Sequence, residues 1–222
     1  TRTMSGYRGV ADLRGRRIGV SASESATQSV LGILLRRGGL TPADVSLVSV
    51  GMGAGALNAL RSGQIDAISN VAPAMTMLEH RGDVRILADT RSLAGAQDIL
   101  GGPMPAGCLC ASTEYVQKHP ATCQALAHAI VRALKWLRTA GPGDIVRTVP
   151  EEYLLGDRGL YLLSLAKVIE AFSLDGLMPQ DGARTALRVL QDGDVSVRAD
   201  RVNLGQTYTN TFARVAKDRF KA

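Results

Sequence analysis

RIGVSASESATQSVLGILLRR, residues 17–37, decides the fold. Arg17–Val20 reads as a short apolar strand, Ser21–Thr27 as a loop of small and hydroxyl-bearing residues, and Val30, Leu31, Ile33, Leu34 and Leu35 then recur at helical spacing. Ser25, three residues ahead of Gln28, has the spacing of a capping box and starts the helix. Unspent N–H groups at such a start, together with the positive end of the helix dipole, favour an anion without any cationic side chain.

The same strand–loop–helix unit repeats downstream. VSLVSV (45–50) runs into Gly51-Met52-Gly53-Ala54-Gly55 and a helix through Ala56, Leu57, Leu60 and Arg61. Ile65–Ser69 runs into Asn70-Val71-Ala72-Pro73, with Pro73 at a first helical position, and Val84–Ala88 supplies a fourth strand. Strands and helices alternating in this way predict an α/β fold, a mostly parallel sheet covered on both faces. Ligands of such sheets collect at the carboxyl ends of the strands. The helix-start loops therefore share one rim, which is half of a ligand site.

Beyond Asp89 the pattern changes. Arg91–Pro105 has glycines and no clear period, as expected of a hinge or binding loop. GCLCAS (107–112) reads as a lone apolar strand. The rest is helical, with Pro120–Thr139 the strongest segment and shorter ones at Gly143–Val149, Gly159–Phe172, Gln180–Leu190 and Leu204–Lys217. One strand with several helices does not make an independent lobe, so these helices need a sheet from elsewhere.

Composition narrows the function. The 222 residues are 45% hydrophobic and 21% charged, enough to build a sizeable core in one large domain or two lobes. The longest helical candidate is interrupted by Gln124, His128, Arg132, Lys135 and Arg138, which argues against a membrane span. A net charge of +6 is spread over dispersed Arg and Lys, with no basic run and no aromatic interleaving, so nucleic acid is not the expected partner. Cys108 and Cys110 share one face of the expected strand, a poor geometry for a mutual disulfide, and with Cys123 they read as small buried thiols. His80, His119 and His128 are scattered, so neither a metal nor a cofactor is expected. Glu151-Glu152 and Asp192/Asp194 read as solvated pairs rather than acid–base machinery, and no catalytic residue is assigned.

Three motifs in order carry a family resemblance. Gly9–Val20 (GVADLRGRRIGV), Ala59–Ala67 (ALRSGQIDA) and Glu114–Pro120 (EYVQKHP) resemble segments of periplasmic solute-binding proteins of ABC transporters, in the nitrate/sulfonate/taurine and thiamine-precursor (NMT1/THI5-like) group. The resemblance implies a two-lobe periplasmic-binding-protein-like fold of type II. In that fold 1–13 is a crossover into the second lobe, 14–90 the second α/β lobe, 91–106 a connector or hinge, and 107–222 a helical segment returning to the first lobe. The N-terminal part of the first lobe and any signal peptide would lie upstream of these residues.

The resemblance also implies a function. Ser21, Ser23, Ser25, Ala26, Thr27, Gly51, Met52 and Asn70 are the ligand-binding candidates. The ligand would be a small anionic or heteroaromatic solute such as a sulfonate, nitrate, taurine or a thiamine precursor. A monomeric periplasmic protein would close on it and pass it to a membrane permease. The alternative is an enzyme of the same fold in pyrimidine-precursor or menaquinone biosynthesis, which calls for a Cys or His cluster in the cleft. A LysR-type effector domain is a third use of a two-lobed α/β fold, and it needs an N-terminal helix-turn-helix that this sequence lacks.

Overall fold

A computed structural model describes residues 1–154, 156–193 and 198–222. Asp194 therefore lies outside the described residues. Three parallel strands form the sheet in the order β2-β1-β3: β1 is Arg17–Val20, β2 Ser46–Ser49 and β3 Ala67–Ile68. Arg17 pairs with Ser46, Val20 with Ser49, and Gly19 with Ile68. At Gly19 a Cβ would come within 2.6 Å of Ile65 Cδ1, so a larger residue there would displace the Ile65 side chain.

The sheet is covered as a parallel sheet must be. On one face α1 (Ala26–Arg37) buries Leu31 and Leu35 against Ile18, Val20 and Leu13. On the other, α2 (Ala54–Arg61) and α3 (Ala74–His80) bury Leu57, Leu60 and Leu78 against Ile65. Pro73 stands one position earlier than expected, at the N-cap of α3.

Three sequence expectations are corrected here. Val84–Ala88 is not a strand. Val84 makes a single antiparallel bridge to Arg2, and Thr1 exchanges backbone hydrogen bonds with Arg85, so this segment pairs with the N-terminus rather than with the parallel sheet. Gly107–Ser112 is likewise no strand; it runs exposed with no ladder partner among the described residues, and a strand exists only when a neighbour takes its N–H and C=O groups. Cys108 and Cys110 are consequently exposed thiols rather than buried ones, while Cys123 is buried.

The connector is more ordered than its sequence suggests. Ser92 caps α4 (Leu93–Leu100) by accepting the Gly95 N–H at 3.0 Å, and Gly101 ends it in the left-handed region at φ 71°. Ala96, Ile99 and Leu100 are buried, and Ile99 and Leu100 join Ile33 of α1 and Val189 in a third core cluster.

The remaining helices are α5 (Thr113–Lys118), α6 (Pro120–Leu137), α7 (Pro142–Thr148), α8 (Arg158–Val168), α9 (Gly182–Gly193) and α10 (Thr211–Phe220). α8 packs on α3, and α9 on α1. α10 lies along α6, where Phe220 meets His128 edge-on at 5.4 Å between ring centroids and Gln124 Nε2 donates to Phe212 O. Among the described residues no helix is long and apolar enough to cross a membrane.

Candidate functional site

The carboxyl ends of the three strands set the site. After Val20 the chain turns through Ser21–Ser25, and Ser25, extended at φ −83° and ψ 162°, caps α1 by accepting the Gln28 N–H. The expected reciprocal half of the capping box is shifted by one residue. Gln28 Oε1 accepts the N–H of Glu24 at 3.1 Å, not that of Ser25, because Glu24 sits in the left-handed region at φ 59° and turns its N–H back toward the helix.

Hydroxyls knit the loop together. Thr27 Oγ1 lies 2.8 Å from Ser25 Oγ and 2.9 Å from Ser21 Oγ, and receives the Ser21 N–H at 3.0 Å. Ser25 Oγ also donates to Ala22 O at 2.7 Å. Ser69, just past β3, donates to Thr27 O at 2.8 Å and so ties the third strand to the first turn of α1.

The second loop is joined to the first. Gly51, held at φ 72°, donates its N–H to Ser21 O and accepts from Asn70 Nδ2 at 2.8 Å, while Asn70 Oδ1 takes the Val71 N–H. Asn70 thereby braces the rim and keeps one Nδ2–H to spare. Ser23 Oγ lies 3.4 Å from Ser49 Oγ at the end of β2, a long contact that leaves Ser23 the least committed hydroxyl of the loop. Met52 projects into solvent at 59% exposure.

Backbone donors at both helix starts remain open. The N–H groups of Ala26 and Thr27 at α1, and of Ala54 and Gly55 at α2, meet no acceptor among the described residues. Gly53 caps α2 with no side chain, so nothing of its own competes for those donors. Neither loop contains Lys, Arg or His, and Glu24 is their one charged side chain.

All eight sequence candidates stand on this rim. Ser21, Ser25 and Thr27 share one hydrogen-bonded cluster, and Ser21, Gly51 and Asn70 share a second chain of bonds. Ser49 and Ser69 belong with them and were missed. Ser49 ends β2 and Ser69 follows β3 directly, so a polar residue at a strand's carboxyl end was the available signal. The rim is an open face. Two clefts, of about 350 and 400 Å³, lie elsewhere: one lined by Ile33, Arg37, Leu100 and Arg188, the other by Cys110, Tyr115, Cys123 and Leu126. Among the described residues no cluster of His, Cys, Asp or Glu is placed to hold a metal ion.

A parallel sheet with helix starts open at its carboxyl edge defines the class, an α/β fold. The particular family follows from comparison with known proteins. The sequence model of the NMT1-like family matches residues 3–146, and the chain belongs to that family. A solved protein from Bordetella bronchiseptica RB50 is 47% identical with a TM-score of 0.91, over 99% of this chain and 69% of that one.

More distant structures share the fold. The periplasmic sulfonate-binding protein SsuA from Methylobacillus flagellatus KT is 19% identical with a TM-score of 0.68, over 99% of this chain and 64% of that one. The desulfurization enzyme DSZB, solved with biphenyl-2-sulfinic acid, is 20% identical with a TM-score of 0.55, over 98% of this chain and 74% of that one. No curated protein matches the sequence. The chain thus spans roughly two thirds to three quarters of the length of these structures.

Proposed function

We propose that this chain carries the helix-start half of an extracytoplasmic solute-binding site, and that its protein is a monomeric component of an ABC importer for a small oxyanion of the sulfonate, nitrate or taurine class. One observation carries the reading: the first N–H donors of α1 and of α2 meet no acceptor among the described residues, and the two loops that lead into these helices have no cationic side chain. A donor-only surface suits acceptor oxygens better than a heteroaromatic ring, and the two loops hold no aromatic residue on which such a ring would stack. Membership of the NMT1-like family and the fold shared with SsuA support the same class.

Closure supplies the mechanism in this reading. A solute bridging the rim and an opposing surface shifts the population toward the closed form, which then docks on a membrane permease.

The test is a thermal-shift and calorimetric screen of the full-length protein against methanesulfonate, taurine, nitrate and a hydroxymethylpyrimidine. A ligand at 100 times its dissociation constant adds about 2.7 kcal/mol. Saturable binding of one oxyanion at one site per chain is expected; pyrimidine binding alone would move the assignment to the other solute class. The DSZB likeness keeps an enzyme in view, and turnover of a sulfinate to a released product, assayed in the same samples, would overturn the transport reading.

Glu24 opposes an anion from within the loop. Glu24→Gln is expected to tighten oxyanion binding about twofold to threefold at low ionic strength, with the gain shrinking at 0.5 M salt, as calorimetry at both salt levels would show.

A further inference from the structure

Counting protons around Thr27 gives its hydroxyl a direction. Ser25 Oγ lies 2.7 Å from Ala22 O, a carbonyl that only accepts, so the Ser25 proton is spent there. Ser25 Oγ is then an acceptor toward both the Gln28 N–H and Thr27 Oγ1, which spends the Thr27 proton. Thr27 Oγ1 in turn accepts twice, from the Ser21 N–H and the Ser21 hydroxyl. The relay runs one way, Ser21 to Thr27 to Ser25 to Ala22 O, and all three protons point into the loop. Thr27 is only 9% exposed, so water does not substitute for these partners, and its carbonyl is held from the third strand by Ser69.

We infer that Thr27 is a positioning residue: it touches no ligand through its side chain but curls Ser21–Ser25 so that the Ala26 and Thr27 N–H groups and the Ser23 hydroxyl face the rim. This rests on the solute-binding reading above. It makes Ser23 the one hydroxyl of Ser21, Ser23, Ser25 and Thr27 with a proton to offer, and it ranks the loop's donors as backbone first. A ligand group held there is one that only accepts, such as an ionised sulfonate oxygen.

Thr27→Val, close in shape and without the hydroxyl, is compared with Thr27→Ser, which restores it. Two readouts are taken: hydrogen exchange of the Ser21 amide, which needs no ligand, and calorimetric affinity for methanesulfonate and taurine. Thr27→Val is expected to speed Ser21 exchange at least tenfold and weaken binding about tenfold, with Thr27→Ser returning both toward wild type. Ser23→Ala is expected to weaken binding with Ser21 exchange unchanged. Thr27→Ala, which removes the same hydroxyl, serves if Thr27→Val does not fold, with the same two changes expected. Unchanged exchange and affinity in a folded Thr27→Val, or in Thr27→Ala if it stands in, would overturn the inference. Failure of the wild type to bind any probe would sink the solute reading instead, and Ser21 exchange would still decide whether Thr27 holds the loop.

Discussion

Replacing Leu60 by alanine is expected to destabilise the protein by about 3 kcal/mol and to lower Tm by roughly 6–12 °C. Leu60 is 1% exposed and sits on α2 within the cluster formed with Leu57, Ile65 and Leu78. Truncation there leaves a cavity in the layer that seats α2 on the sheet, and close-packed neighbours refill such a cavity only in part. The consequence reaches the rim, because the same helix presents the Ala54 and Gly55 N–H groups. Chemical denaturation checks the stability loss. A loss under 1 kcal/mol would mean that α2 is held by something other than this cluster.

Arg91→Ala is expected to cost about 2 kcal/mol at neutral pH, with the loss fading in acid. The Arg91 guanidinium meets Asp89 through Nε at 2.8 Å and Nη2 at 2.5 Å, and Glu79 through Nη1 at 2.9 Å. Glu79 also takes Lys167 of α8 at 2.7 Å, so one network ties α3, the start of the connector and α8 together. Its members are partly buried, which is where removing one partner costs most.

The pH dependence follows from the carboxyls. The hydrogen bond from Arg91 holds Asp89 below the ordinary carboxylate range, and those from Lys167 and then Arg91 do the same for Glu79. Groups depressed on folding contribute stability that is complete above about pH 5 and is lost as pH falls through the ordinary range toward the lower folded values. Wild-type stability is therefore expected to fall more steeply than that of Arg91→Ala between pH 5 and pH 3. Urea titrations at pH 7, 5, 4 and 3 measure this, and parallel slopes would mean the network contributes nothing net.

Legibility in the sequence followed locality. β1, α1 and the loop between them were readable because a four-residue apolar run, a serine cap and a helical stripe at Leu31 and Leu35 are each set by near neighbours. The rule that parallel strands present loops at their carboxyl ends located the rim, while the eight residues on it were named from the family resemblance.

What failed depended on distant partners. Val84–Ala88 and Gly107–Ser112 have strand-like composition, yet a strand is a pairing, and Arg2 bridges to Val84 while no ladder reaches 107–112 among the described residues. α4 was hidden by its shortness and by the glycines at 95, 101 and 102, although Ser92 was a readable cap. Ser49 and Ser69 escaped notice because register alone, Val20 opposite Ser49 and Gly19 opposite Ile68, brings them to the β1–α1 loop. The one-way hydroxyl relay through Thr27 needed interatomic distances, which no spacing rule supplies.

The central claim is that an oxyanion sits on the helix starts of α1 and α2, and an amide-resolved NMR titration of the full-length protein with methanesulfonate and taurine tests it most directly. Saturable shifts are expected at the Ala26, Thr27, Ala54 and Gly55 amides, with the Ser21 amide still protected by Thr27. Shifts confined to the cleft between Arg37 and Arg188, or none at the four amides while the protein binds the ligand by calorimetry, would contradict it.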